Sequence, residues 1–175
     1  MRKSKKRMSG DARSYDQTRG VGGTMCRQVT VGDAVHVIIL TGGMGARLAQ
    51  EPGAKYSNAH SEACNAVLAA FGVWEFNVHA FFFPDNALYF ILRLEIVKAI
   101  KGVVDALPPE IIYIHHAGDP NVDHRYAYEA TMTACRPKPE PGYSMKQIYS
   151  YEVPSSTEWS GSSFERAFMP TKYIA

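Results

Sequence analysis

The sequence predicts an α/β fold, a Rossmann-like three-layer sandwich built around a mainly parallel sheet. From about residue 20, strand-like and helix-like segments alternate, which is typical of βαβ units with right-handed crossovers. The segment VHVIIL (35–40) is continuously apolar, as a parallel strand covered on both faces should be. The segment 91–107 carries apolar residues at three- and four-residue steps and stops at Pro108 and Pro109, as a helix should.

The other elements follow in chain order. Helices are predicted at 20–33, 61–73, 91–107 and 123–135, and strands at 35–40, 79–86, 110–116 and 147–154. KYIA (172–175) reads as the start of a further strand. The predicted apolar face of the third helix consists of Leu92, Ile96, Ile100, Val103 and Leu107.

Binding sites in such folds gather beyond the carboxyl ends of the strands. Four loops of this chain should meet there, and we expect the functional site at that rim of the sheet. The loops are TGG (41–43), FPDN (83–86), HHAGDPNVDHR (115–125) and EVPSSTEW (152–159).

The first 19 residues differ in charge from the rest of the chain. They contain seven basic and two acidic residues, whereas residues 20–175 contain 12 basic and 15 acidic ones. They show no apolar strand, so we expect a basic, disordered segment at 1–19 and a single domain at 20–175. Electrostatic binding of nucleic acid through this segment is the alternative, and we do not expect it.

Composition limits the compartment and the class of protein. A chain of 175 residues has room for one domain with a substantial core. No stretch approaches the roughly 20 apolar residues of a membrane-spanning helix, and the N-terminus lacks the apolar core of a secretory signal. The three cysteines are widely spaced, which favours buried thiols in a reducing compartment over disulfides. We therefore expect a cytoplasmic protein. The sequence leaves open whether the protein forms a homo-oligomer.

The stretch 115–125 carries the strongest functional signal, because it holds three of the six histidines just after a strand. His124 is a candidate zinc ligand, and Asp123 beside it can orient the imidazole. Taken alone, this pair is explained better by helix capping and a surface histidine. His115 and His116 should point to opposite faces at the end of the strand, and we favour His116 for the rim.

Two further loops carry candidate ligand-binding side chains. Asp85 could accept hydrogen bonds from sugar hydroxyls, although a turn explains P-D-N equally well. Arg47, in the glycine-rich loop, could bind an anionic or polyhydroxyl ligand. That loop lacks the G-K-[ST] ending of a phosphate loop, so nucleotide binding is not indicated.

From about Gly20 onward the chain resembles the LmbE-like, or PIG-L, family of zinc-dependent N-acetylglucosaminyl deacetylases. The resemblance rests on the ordered segments GVGGTMCRQVTVGDAVHVIILTGG, FFFPDNAL, LRLEIVKAIKGVVDALPPEIIYIHHAGDPNVDHR and QIYSYEVPSSTEW. It implies hydrolysis of the linear amide C–N bond of an acetamide on an amino sugar. In such a site Zn²⁺ polarises the acetyl carbonyl and activates a water, whose proton an aspartate accepts.

The resemblance also assigns roles to residues of this chain. His124 matches a zinc ligand, and Asp16 matches the second carboxylate of the family's H-P-D-D motif. Asp123 matches an aspartate that supports acid–base chemistry. Asn121 stands where many members carry a histidine that stabilises the oxyanion, and its amide can still donate there. The candidates for substrate binding are Arg47, Asp85 and His116.

The chain departs from the family pattern ahead of Gly20. Arg13 replaces the ligand histidine and Tyr15 replaces the base aspartate. A tyrosine has a pKa near ~10, and losing a general base costs about 10²–10⁴-fold in rate. Family members also continue past KYIA, so the resemblance implies a truncated C-terminus. We therefore expect an impaired deacetylase, with a non-catalytic sugar-binding relative as the alternative.

Overall fold

A parallel sheet of five strands forms the centre of the protein. The computed structural model describes residues 6–11, 20–42, 58–137, 145–154, 156–160 and 167–174. The strands are β1 (Lys6–Asp11), β2 (Ala34–Thr41), β3 (Val78–Phe83), β4 (Ile111–His115) and β5 (Gln147–Tyr151). They lie in the order β3-β2-β1-β4-β5, and each neighbouring pair is parallel.

Helices cover both faces of this sheet. They are α1 (Gly22–Thr30), α2 (Asn58–Ala70), α3 (Arg93–Ala106) and α4 (Val122–Ala134). On one face, Met25 of α1 and Leu68 of α2 pack with Val37 of β2. On the other face, Ile96 of α3 packs with Ile38 in a cluster that also includes α4. Successive residues of β2 therefore enter opposite clusters, as side-chain alternation along a strand requires. The expected three-layer α/β fold is confirmed.

The helices and strands predicted between residues 20 and 154 are present, with ends shifted by at most three residues. The predicted face of α3 is partly wrong. The helix begins at Arg93, which leaves Leu92 75% exposed, and it buries Val97 and Val104 in addition to Ile96 and Ile100. The strand expected at KYIA is also wrong, since residues 172–174 have no regular structure.

Strand β1 lies at the centre of the sheet, where the sequence predicted none. Its backbone pairs with β2 on one side and with β4 on the other. Met8 enters the core, and Arg7 is buried with its Nε atom 3.1 Å from Asp33 Oδ2. A charged side chain can occupy a buried position when its charge is paired. The expectation of a disordered segment is therefore wrong for Lys6–Asp11, and the domain boundary at residue 19 stays a prediction.

Two expectations about composition can be compared with the structure. Among the described residues, no helix is long and apolar enough to cross a membrane. The three cysteines, all in the described part of the chain, form no disulfide: Cys64 and Cys135 are buried as expected, whereas Cys26 is exposed.

Candidate active site

The candidate active site begins at the first turn of α4, just beyond the carboxyl end of β4. Asn121 caps this helix, because its side-chain oxygen accepts a hydrogen bond from the Asp123 N–H at 3.0 Å. This cap starts the helix so that Asp123 and His124 lie in its first turn. Both side chains are fully buried. The cap occupies the Oδ1 atom of Asn121 and leaves its Nδ2 group as the donor side of the amide.

Asp119 is the residue that fixes His124, and the sequence did not single it out. Its Oδ2 atom lies 3.2 Å from His124 Nδ1. The same oxygen accepts hydrogen bonds from Ser156 Oγ and Thr157 Oγ1, each at 2.7 Å. Its Oδ1 atom accepts the Asn121 N–H at 2.8 Å. The EVPSSTEW loop therefore does reach this rim of the sheet, through the two hydroxyls at its centre.

These contacts keep the Asp119 carboxyl group ionised. Burial alone raises the pKa of Asp119, but the nearby His124 ring and the hydroxyls of Thr157 and Ser156 outweigh burial and hold that pKa well below 3.8. The ionised carboxylate 3.2 Å away favours the tautomer of His124 that carries the hydrogen on Nδ1, although the two atoms are not aligned as a hydrogen bond. In the neutral ring, the Nε2 atom then holds the lone pair, as a metal ligand or hydrogen-bond acceptor needs.

His115, not His116, lies beside His124. The rings of His115 and His124 stack with centroids 4.0 Å apart and an angle of 9° between their planes, and both side chains are fully buried. His116 points elsewhere: its ring meets Phe168 edge-on at 5.4 Å. It also lines a cavity of about 740 Å³ between β4, β5 and residues 167–174. Substrate binding by His116 therefore stays a prediction. The sequence did not indicate that His116 would lie in this separate cavity.

Asp123 connects α4 to the loop that follows β3. Its carboxylate accepts the backbone N–H of Asn86 at 2.7 Å and that of Leu88 at 3.1 Å. Asn86 holds a left-handed backbone with φ of 55°, which aims its N–H at this acceptor. Both oxygens of Asp123 thus bond to backbone groups. The structure shows a positioning role for Asp123, and the acid–base role stays a prediction.

Asp85 lies in the same loop, next to Asn86, whose backbone N–H donates to Asp123. Its Oδ1 atom accepts the Thr41 hydroxyl at 3.2 Å, which joins the carboxyl ends of β2 and β3. The structure thus brings Asp85 to the predicted rim. Two other predicted site residues, Arg47 and Asp16, lie outside the described residues.

The described residues do not by themselves form a complete metal site. They contain no group of three or more histidine, cysteine, aspartate or glutamate side chains that could hold a metal ion. A catalytic zinc usually has three protein ligands. An imidazole fixed by a buried carboxylate, as in Asp119–His124, is the usual arrangement of a single metal-binding histidine. His124 therefore fits one zinc ligand, and Asp16 belongs to a segment that the structure does not describe.

Comparison with known families identifies the family of the chain. The profile of the GlcNAc-PI de-N-acetylase (PIG-L) family matches residues 15–135, which include the first turn of α4. The chain belongs to the PIG-L family. No curated protein matches this PIG-L chain in sequence.

Solved structures show the same fold. N,N'-diacetylchitobiose deacetylase from Pyrococcus horikoshii superposes with a TM-score of 0.70 at 18% identity, over 85% of this chain and 60% of that one. A zinc-inhibited form of teicoplanin deacetylase gives 0.65 at 15% identity, over 84% and 67%.

A third structure shows that this fold supports other chemistry. The 4-carboxy-2-hydroxymuconate hydratase from Pseudomonas putida superposes with a TM-score of 0.63 at 23% identity, over 83% of this chain and 62% of that one. The PIG-L chain thus spans about 60–67% of the length of these three structures. Because a hydratase and deacetylases share the fold, the reaction has to be argued from the site.

Proposed function

We propose that this PIG-L chain is a zinc-dependent deacetylase that releases acetate from an N-acetylglucosamine-type sugar or glycoconjugate. The observation that carries the proposal is the buried Asp119–His124 pair at the carboxyl end of β4. The pair presents one oriented imidazole, as a metal ligand requires. The family to which the chain belongs is described as a GlcNAc-PI de-N-acetylase.

The chain's own residues have separable tasks in this proposal. Asp119 holds the His124 ring so that its Nε2 atom carries the lone pair, and Ser156 and Thr157 keep Asp119 ionised. The Nδ2 group of Asn121 is a donor for the oxyanion that develops when the amide carbonyl is attacked. A zinc ion bound by His124 and Asp16 would polarise that carbonyl and activate a water.

The substrate-facing residues form the second half of the proposal. Asp123 fixes the loop after β3 and thereby holds Asp85 at the rim. Asp85 binds hydroxyl groups of the sugar, and Arg47 and His116 are further candidates for substrate binding, with His116 on the separate cavity beside β5. The oxygens and donors of this rim suit a polar small molecule, which favours an amino sugar as the partner.

A non-catalytic sugar-binding protein is the second candidate function. The observation in its favour is Tyr15 at the position of the family's base aspartate. An unperturbed tyrosine is protonated at neutral pH and accepts a proton from water poorly. This candidate predicts that amino sugars bind to the chain and are released unchanged.

The test combines zinc content with product release. Zinc per chain is measured for the wild type and for His124→Ala, and amine release is followed from N-acetylglucosamine and N,N'-diacetylchitobiose. We expect His124→Ala to lose one zinc per chain and all amine release above background. Lys98→Ala is the control, because Lys98 is an exposed residue on α3.

Each result separates the two candidate functions. Equal zinc content and equal amine release in the wild type and His124→Ala would overturn the proposal. Saturable binding of the sugars by the wild type without amine release would favour the sugar-binding protein. Circular dichroism of His124→Ala checks that the variant is folded.

A further inference from the structure

A second pair of histidines lies on the sheet, away from the candidate active site. His36 of β2 and His79 of β3 face each other across neighbouring strands. His36 Nδ1 and His79 Nε2 are 3.4 Å apart, and the rings lie at 26° to each other. His36 belongs to the amino-terminal half of β2, whereas His124 lies beyond the carboxyl end of β4. The sequence predicted no role for either residue of this pair.

The separation of the two nitrogens fits shared coordination of one metal ion. Zn–N bonds are about 2.05 Å long, so two such bonds from nitrogens 3.4 Å apart meet at about 112°. The tetrahedral angle is about 109°, which is the geometry that zinc adopts in protein sites. We infer that His36 and His79 form a second metal site, for a divalent ion that prefers imidazole, namely Zn²⁺, Ni²⁺ or Cu²⁺.

Binding requires both rings to be neutral, and burial favours this state at His79. Burial lowers the pKa of His79 below 6.5, so the ring is largely neutral at pH 7. In the metal-free protein, one N–H lies between the two facing nitrogens. On binding, this hydrogen moves to the other nitrogen of its own ring, and both rings turn so that the lone pairs of the facing nitrogens converge on the ion. The rings keep their total of two N–H hydrogens, and no oxidation or reduction occurs.

The position on β3 provides access for the ion. β3 is an edge strand of the described sheet, so one side of it has no neighbouring strand there. His79 is half-buried, whereas His36 is 9% exposed. Among the described residues no third donor completes a three-residue cluster. Water therefore fills the remaining positions, and we expect the ion to exchange faster than at a three-ligand site.

The test uses His124→Ala, because this variant removes the proposed ligand of the other zinc site. Isothermal titration with ZnCl₂ and with NiCl₂ should show one remaining site per chain in His124→Ala. The double variant His124→Ala with His79→Gln should lose that site, with at least a tenfold drop in affinity. The double variant His124→Ala with His116→Gln is the matched control. His116 is not part of the His36–His79 pair, so this variant should keep the second metal site.

A second measurement covers the case in which the variants fold poorly. In the wild type, ring ¹⁵N signals of His36 and His79 should shift when ZnCl₂ is added, as their lone pairs become coordinated. Absence of a titratable site in folded His124→Ala would overturn the inference. So would a site that His79→Gln leaves unchanged, or ring signals of His36 and His79 that stay constant with zinc. None of these readouts depends on deacetylation, so the inference and the proposed function can fail separately.

Discussion

Asp119 makes four polar contacts in the candidate site. It meets a backbone N–H, two hydroxyls and the His124 ring while fully buried. The hydroxyls come from the loop after β5, so one carboxylate joins the start of α4 to a distant part of the chain. Asp119 therefore links the His124 ring to the loop after β5.

We predict that Asp119→Asn weakens zinc binding by about 10–100-fold, the range found when a group that orients a metal ligand is replaced. The amide keeps the size of the side chain but removes the negative charge that holds the Nδ1 hydrogen of His124. Chelator competition on the purified variant measures the affinity. Ser156→Ala removes one neutral hydrogen bond and should have a smaller effect. Equal zinc affinity in Asp119→Asn and wild type would contradict the role assigned to Asp119.

The side chains of the site show where sequence reasoning stops. Alternation along a strand established that His115 and His116 point to opposite faces, but not which of them faces His124. That depends on where β4 ends, and the strand stops at His115. Asp119 was missed because its partners lie 37 and 38 residues away, in a loop whose fold the sequence does not specify. The signal that could have found it is the aspartate five residues before a candidate ligand.

At the scale of elements, the side chain of Asp123 connects α4 to the loop after β3 by hydrogen bonds. The helix contributes the acceptor, and the loop contributes two backbone donors. Since Asp85 lies in this loop, the position of a candidate sugar-binding residue depends on the first turn of α4. Helix α4 itself was predicted at 123–135, but the sequence assigned the capping role to Asp123, whereas the structure gives it to Asn121.

Asp123→Ala should destabilise the protein by on the order of 3 kcal/mol, because it leaves the N–H groups of Asn86 and Leu88 without their acceptor. Urea unfolding measures this loss, and hydrogen exchange at residues 86–88 should quicken in the variant. Asp123→Asn retains one acceptor oxygen, so its free energy of unfolding should lie between those of the wild type and Asp123→Ala. Unchanged hydrogen exchange at Asn86 and Leu88 would show that the hydrogen bonds to Asp123 do not hold the loop.

At the scale of the whole molecule, stability should fall as the solution becomes acidic. Burial lowers the folded-state pKa of His79 below 6.5, so below that pH the unfolded chain binds more protons at this residue than the folded protein does. Protonation of His79 therefore favours unfolding from about pH 6.5 downward. Asp119 acts in the same direction at lower pH, since its folded-state pKa lies below 3.8.

The urea midpoint of the wild type should accordingly be lower at pH 5.5 than at pH 7.5. His79→Gln has no titrating group at this position, so its midpoint should fall less between the same two pH values. Comparing the two proteins isolates His79 from the other histidines. An equal fall in both proteins would show that His79 does not contribute to the acid sensitivity.

The alternation of elements allowed the layers of the molecule to be predicted, but not the centre of its sheet. β2 and β4 are apolar and recognisable, whereas KRMSGD contributes one typical core residue, Met8. Arg7 is compatible with a central strand only because Asp33 neutralises it, and Asp33 lies 26 residues later. Patterns of local hydrophobicity do not report a contact over that distance.

The central place of β1 has a consequence for how the chain folds during synthesis. β1 and β2 are close in sequence, and β3 follows, so these three strands can pair early. β4 has to pair with the other edge of β1, across a separation of about a hundred residues, since Met8 lies opposite Ile112. Until the ribosome has released that segment, β1 presents an open edge to its surroundings, and open edges invite pairing with other chains. The chain's need for protection by chaperones should therefore be greatest midway through translation and should end when β4 docks.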